Sequence, residues 1–400
     1  MPHSPTTVNF RLYFWTSGLT ALLLLIAIVT LTYLVDPYFI HQWDTELINR
    51  RSPAQQKVTP WAKTYAVYRY QPDVVFLGSS RVEIGLPTNI DLFPGKKVFN
   101  LAVQGGTFGD AIAMLNHTSF FHRPEIVVWG LEFGPLFIEE IGNTDFQKTL
   151  VAKGPLYPLR RTWMNIKRSL SMDMTRDALE ILMGISEQAC QSILATYGHK
   201  SAECVEQIMT EDGGTAKAFD TAMQPSDLTT PTPDFRPAMQ QLDQVAQDFC
   251  QSGTVFRFYI HPIHALNQLY WETRGGKDIE NWKRELVKVV DKHKQQGCDI
   301  RLMDFSGFNT ITTEDIPQAT GKETMQNYWE QSHYRDKVGA KILTRLFSAT
   351  PQTEPNDFGV ELNGGVIEQH LNNQRKSREA YCTSHPRETA QLQGGVKRKE

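Results

Sequence analysis

Asp73-Val74-Val75-Phe76-Leu77-Gly78-Ser79-Ser80-Arg81 is the stretch on which the reading of this chain turns. Val74 to Leu77 are β-branched or bulky and show no helical period, so they read as a buried strand of a parallel sheet. Gly78 permits a tight turn, and two serines follow at the carboxyl end of the strand, the edge where open α/β sheets bind ligands. A Gly-Ser-Ser turn also serves as a plain helix cap, so the chemistry has to be argued from what lies around it.

Outward from this strand the pattern alternates. Short apolar runs at 97–101, 125–131, 255–260 and 299–304 read as further strands. Segments 107–120, 238–250, 278–296 and 334–347 have helical spacing. In one of them Met239, Leu242, Val245 and Phe249 share a face before Gly253, and in the next Ile279, Trp282, Leu286, Val289 and Val290 do so before Gly297. Strands alternating with helices imply a parallel sheet with helices on both faces. Residues 145–235 break the rhythm and read as an insertion, a cap over the site. Trp163, Ile166, Leu170, Met174 and Ala178–Met183 suggest helix there, and 211–235 reads as loop. Residues 36–70 read as an aromatic connector. Residues 351–400, polar and ending in charge, read as a disordered tail.

The amino-terminal segment reads differently. Leu12 to Val35 carry no charge, which exceeds the roughly 20 apolar residues that span a bilayer. Tyr13 and Trp15 at one end and Tyr33 and Tyr38 at the other suit the membrane interfaces. The run closes Tyr33-Leu34-Val35-Asp36-Pro37, a poor cleavage site, so an uncleaved single-pass anchor is expected rather than a signal peptide. Arg11, set against Arg50-Arg51 on the other side, gives only a slight charge bias. With a possible Cys190–Cys204 disulfide, it places the main domain outside the cytoplasmic membrane, in the periplasm. The 400 residues carry a net charge of −3, without the basic face of a nucleic-acid binder. The five cysteines form no CxxC pair, which argues against zinc, and no metal or cofactor is expected.

Two further stretches supply chemistry. Asn100-Leu101-Ala102-Val103-Gln104-Gly105-Gly106-Thr107 puts two glycines between a strand and a helix, leaving backbone N–H groups able to stabilise an oxyanion. Tyr328-Trp329-Glu330-Gln331-Ser332-His333-Tyr334 offers a general base, His333, with a carboxylate three residues before it. Arg81 could meet an anionic substrate. His261 and His264, following the fourth strand, could line the acceptor site. Asp304, ending the fifth strand, reads as an N-cap or an alternative orienting acid.

In order and spacing these blocks resemble the SGNH (GDSL-like) hydrolase superfamily. The match covers 71–350 without the insertion, which would make that part an SGNH-like, flavodoxin-like three-layer domain. Gly78-Ser79-Ser80 stands for the first block, Gly105 for the second and Glu330-Gln331-Ser332-His333 for the last. Membrane-anchored relatives are the D-alanine transfer protein of teichoic acid modification and the alginate O-acetylation proteins. The resemblance implies Ser80 as nucleophile, His333 as base, Glu330 as its orienting acid, and an oxyanion hole from Ser80 and Gly105. It implies acyl transfer to or from a cell-envelope polysaccharide, with an acyl donor or an integral-membrane acyltransferase as partner. One block departs: the third normally ends in Asn, and here reads Trp129-Gly130-Leu131-Glu132. A non-catalytic module of the same fold, binding glycan or a membrane partner, is the rival expectation.

Overall fold

The computed structural model describes residues 10–41, 54–140, 142, 155–185, 196–222, 234–317, 324–348, 355–386 and 389–390. Its centre is a six-stranded sheet: β1 Val74–Leu77, β2 Val98–Asn100, β3 Ile126–Leu131, β4 Val255–Ile260, β5 Ile300–Asp304 and β6 Val360–Glu361. The order is β2-β1-β3-β4-β5-β6, parallel except for β6, which pairs antiparallel with β5. The first five strands are the apolar runs of the sequence, and β1 is buried at every position. The β1–β3 junction is where the strand order reverses, so a crevice opens beyond their carboxyl ends.

Two apolar layers sandwich the sheet. One is built with α2 (Ala54–Tyr70), α4 (Phe108–Phe121), α9 (Arg236–Cys250), α10 (Ala265–Gln295) and α12 (Ile367–Ser384). The other is built with α3 (Ser80–Gly85) and α11 (Asp336–Phe347). The helix starts are locally encoded. Thr107 and Asp110 form a reciprocal capping box on α4, and Ser79 caps α3. The disulfide Cys250–Cys298 ties the end of α9 to the turn before β5. On a chain-entropy view, closing its 48-residue separation contributes ~4 kcal/mol. Cys204 is also disulfide-bonded and Cys382 is free. Cys190, the expected partner of Cys204, lies outside the described residues, as do 397–400.

Ahead of this domain α1 (Phe10–Val35) is long and apolar enough to cross a membrane. Its side chains are exposed except near its carboxyl end, where Thr32 and Val35 are buried.

Four expectations are corrected. The segment read as a connector contains the helix α2, whose Ala66 and Val67 enter the core. The segment read as a disordered tail contains β6 and α12, held by buried Ile367, Leu371 and Tyr381 and by polar ties to α10. The stretch read as loop contains α8 (Gly214–Ala222), which buries Phe219. The insertion is not one cap. Its first helices, α5 (Tyr157–Ser169) and α6 (Met172–Leu182), lie against α2 and the end of α1. Its second part, 196–222 with α7 (Ala202–Glu211) and α8, packs beside α3, where Lys200 N–H donates to Glu83 O.

Candidate active site

The turn after β1 shapes the first half of the site. Gly78 has φ +145°, and a Cβ there would strike Val82 and approach Gly130 O at 3.2 Å, so the chain turns only because no side chain is present. Ser79 accepts the Arg81 N–H as N-cap, at 3.4 Å. Ser80 is then the first helical residue, and its hydroxyl is left free of capping duty. The helix-cap reading of Gly-Ser-Ser therefore holds for Ser79, and the Ser80 hydroxyl stays available for other partners.

The second half is the loop 328–334. A bridge between Tyr328 and Tyr334 closes it, and Trp329 N–H donates to His333 O at 2.9 Å. The Arg335 guanidinium lies 3.7 Å from the Trp329 ring centre. Within this clamp Glu330 turns back and accepts from the backbone N–H of His333 at 2.7 Å and of Ser332 at 3.1 Å. It also accepts the Ser332 hydroxyl at 2.8 Å and bonds His333 Nδ1. Burial alone would raise the Glu330 carboxyl, but the bonds from His333 and Ser332 outweigh it and hold the group down at about 2. An ionised Glu330 fixes the Nδ1–H tautomer of His333, which leaves Nε2 as acceptor. Ser80 Oγ lies 2.8 Å from that nitrogen. Ser80, His333 and Glu330, 253 and three residues apart in sequence, thus form one line from hydroxyl to imidazole to carboxylate.

Beside Ser80 the turn after β2 approaches the same edge. Val103 N–H donates to Gly78 O at 3.1 Å and Gly106 N–H to Val103 O at 2.8 Å. Gly105 takes φ +65°, a left-handed conformation that favours glycine. Among the described residues no protein acceptor engages the N–H of Ser80 or Gly105. Asn100 is a brace: its amide donates to Val82 O and Leu86 O, tying α3 to β2.

The remaining candidates divide. Arg81 forms an ion pair with Glu132 and donates to Ser332 O at 3.2 Å, so it holds the His333 loop and is already paired. His261 is buried; its Nδ1 lies 3.3 Å from Tyr334 Oη, and burial pushes it well below the usual histidine range. Both line a cavity of about 220 Å³ beside the site, with Glu132, Trp271, Trp282 and Lys283. His264 is corrected. Its Nδ1 accepts Leu266 N–H at the start of α10, and its other nitrogen donates to Glu314 O at 2.7 Å, so it caps a helix and is not among the residues lining the cavity beside the site. Asp304 accepts the Ser306 backbone N–H at 2.9 Å as a strand-end cap would, though no helix directly follows it, and it is not an orienting acid for His333, because Lys283, Ser306 and His370 surround it.

Two supports were missed in sequence. Tyr259 and Tyr334 meet through their hydroxyls at 3.0 Å behind the histidine loop, and Gly85 leaves the space that the Tyr334 ring fills. Buried Lys63 of α2 donates to Glu83 of α3 at 2.8 Å, fastening the helix that carries Ser80. A lysine inside an aromatic helix gives no local signal of such a partner.

No protein-family model and no curated protein matches the chain. Among solved structures it is similar to a Streptococcus pneumonia chain described as "a putative platelet activating factor", with 11% identity and a TM-score of 0.33, over 73% of this chain and 91% of that one.

Proposed function

We propose that this chain is a membrane-anchored, extracytoplasmic SGNH-like acyltransferase or esterase acting on a cell-envelope polysaccharide. The observation that carries the reading is the line Ser80–His333–Glu330 at the carboxyl edge of the sheet. In the proposed reaction His333 takes the Ser80 proton while Glu330 stabilises the imidazolium. Ser80 Oγ attacks an ester or thioester carbonyl, and the N–H groups of Ser80 and Gly105 bind the developing oxyanion. The leaving group takes the proton from His333, giving an acyl-enzyme. Water or a sugar hydroxyl, deprotonated by His333, then takes the acyl group and frees Ser80. The adjoining cavity is the place for the acyl or acceptor group, and how well it excludes water decides transfer against hydrolysis. The Cys250–Cys298 disulfide supports an oxidising compartment.

The third-block position ends in Glu132, paired with Arg81, rather than in Asn. Losing one oxyanion donor costs ~10²–10³ in rate, so a slow enzyme is expected. The same departure favours the rival, a non-catalytic module that binds glycan or an integral-membrane acyltransferase. Incubating the purified full chain with p-nitrophenyl acetate and mapping adducts by mass spectrometry separates the two. The enzyme reading requires an acetyl group on Ser80 that disappears in Ser80→Ala. A folded chain with no adduct on Ser80 supports the module instead.

A further inference from the structure

We propose that α5 and α6 lie in the membrane interface beside α1, as a second membrane contact that sets the attitude of the domain on the bilayer. The inference rests on the membrane-spanning part of the reading above and on nothing at Ser80. Its starting point is an inverted helix. A helix on a soluble domain buries its apolar stripe and shows its polar face. On α5 and its two caps, Leu156, Leu159, Trp163, Ile166 and Leu170 recur at spacings of three and four, so they share one face. All are exposed, Leu159 at 70% and Trp163 at 58%. Beyond Tyr157, which is buried against His117 and Phe121 in the first turn, the side turned to the protein is polar. Arg161 lies 4.3 Å from the Tyr65 ring centre and Arg168 lies 3.7 Å from that of Trp61, while Asn165 accepts the Tyr65 hydroxyl at 2.6 Å.

The following helix continues the apolar surface. In and just after α6, Met172, Leu179, Leu182 and Met183 face outward, Met172 at 81% exposure, while Met174, Ala178 and Ile181 are buried. Exposed apolar residues clustered on two neighbouring helices mark an interaction surface, and its position says what covers it. Ala178 and Ile181 pack on Leu31 and Val35 of α1, and Thr32 Oγ1 donates to Ser169 O at 3.0 Å. The 26 residues of α1 extend about 39 Å, some 9 Å more than the ~30 Å hydrocarbon core. Its last turn, the part the two helices touch, therefore falls at the boundary of headgroups and acyl chains, the level at which interfacial helices lie.

Charge selects the lipid. The α5 sequence contains Arg160, Arg161, Lys167 and Arg168 and no carboxylate. Of the three acids on α6, Asp177 accepts the Tyr38 hydroxyl and Glu180 pairs with Arg176, which leaves Asp173 exposed in the first turn against the four cations of α5. An apolar face flanked by cations, with Trp163 among its residues, fits an anionic phospholipid surface. The consequence reaches the site. Phe39, just beyond α1, packs on Ala62 of α2; the next residue, Lys63, holds Glu83; and Glu83 lies on the helix that begins at Ser80. The elements pressed against the bilayer are thus joined by two contacts to the helix of the serine.

A nitroxide on Ile166→Cys, in a Cys382→Ser background, tests this in the full chain reconstituted into vesicles containing phosphatidylglycerol. Gln247→Cys on the exposed face of α9 is the aqueous control, and flotation of the same vesicles reports separately whether the chain is held by the bilayer. The label at 166 is expected to be several-fold more accessible to oxygen than to a water-soluble nickel chelate, with the reverse at 247. Replacing Arg160 and Lys167 together by Glu should raise chelate access at 166. Chelate access at 166 equal to that at 247 in floated vesicles overturns the inference. Exclusion of both reagents from 166 also overturns it, because another protein would then cover the face. Loss of activity at Ser80 moves none of these readings.

Discussion

Two of the clusters that join a serine, a histidine and a carboxylate among the described residues are wired differently. At the open edge the order is linear, with His333 between Ser80 and Glu330. In the interior the carboxylate is the hub. Asp304 receives Lys283 at 2.7 Å, His370 at 2.9 Å and the Ser306 hydroxyl at 2.6 Å, and Ser306 never meets His370. A serine becomes a nucleophile when a base can take its proton. Ser306 instead donates to a buried carboxylate and accepts from Lys283 at 2.9 Å. Lys283 and His370 hold Asp304 far below the usual carboxylate range even though burial works against them. The first arrangement can move a proton. The second joins α10, β5 and α12. Residue types alone do not separate the two, whereas the position of the histidine does.

This contrast can be broken most directly at the serines. Ser80→Ala should lower ester cleavage by ~10⁴–10⁶, whereas Ser306→Ala, which only lines the adjoining cavity, should cost far less; an assay with a chromogenic acetyl ester checks both. Next in size, Glu330→Gln keeps the shape of the site but no longer favours the correct tautomer, and should cost ~10²–10⁴ in rate in the folded protein. Asp304→Asn should do the opposite. It leaves Lys283 buried beside a neutral group and should destabilise the fold by ~3–5 kcal/mol, read by denaturant unfolding, while the folded fraction keeps its activity. The smallest effect is pH dependence. Glu330 falls from 4.5 to about 2 on folding, so its stabilisation is complete above about 4.5 and is lost as the pH drops towards about 2. The stability difference between wild type and Glu330→Gln should shrink over that window, followed by unfolding at successive pH values.

The sheet was legible because each parallel strand is a continuous apolar run buried on both faces, a pattern that needs no partner to be seen. The line Ser80–His333–Glu330 was legible as two short blocks, Gly78-Ser79-Ser80 and Glu330-Gln331-Ser332-His333. The segments that went unread are held by interactions between residues far apart. In α12, His370 and Gln374 bind Asp304 while Glu368 and Arg375 pair with α10, so its sequence carries little apolar period. The Cys250–Cys298 bridge spans 48 residues with no local spacing signal. His264 looked like a site residue because it follows a strand at the right edge. Only its bonds to Leu266 and Glu314 show it as a cap. In α5 the apolar spacing was read correctly as helix, but the side it presents to solvent depends on α1 and α2, which lie far away in sequence.

The measurement that tests the central claim most directly is labelling of the full chain with a fluorophosphonate probe, in wild type, Ser80→Ala, His333→Ala and Ser306→Ala. Labelling of wild type and Ser306→Ala, with loss in the other two, is the predicted result. Labelling that survives in Ser80→Ala, or its absence from a folded wild type, would contradict the assignment of Ser80 as an activated nucleophile.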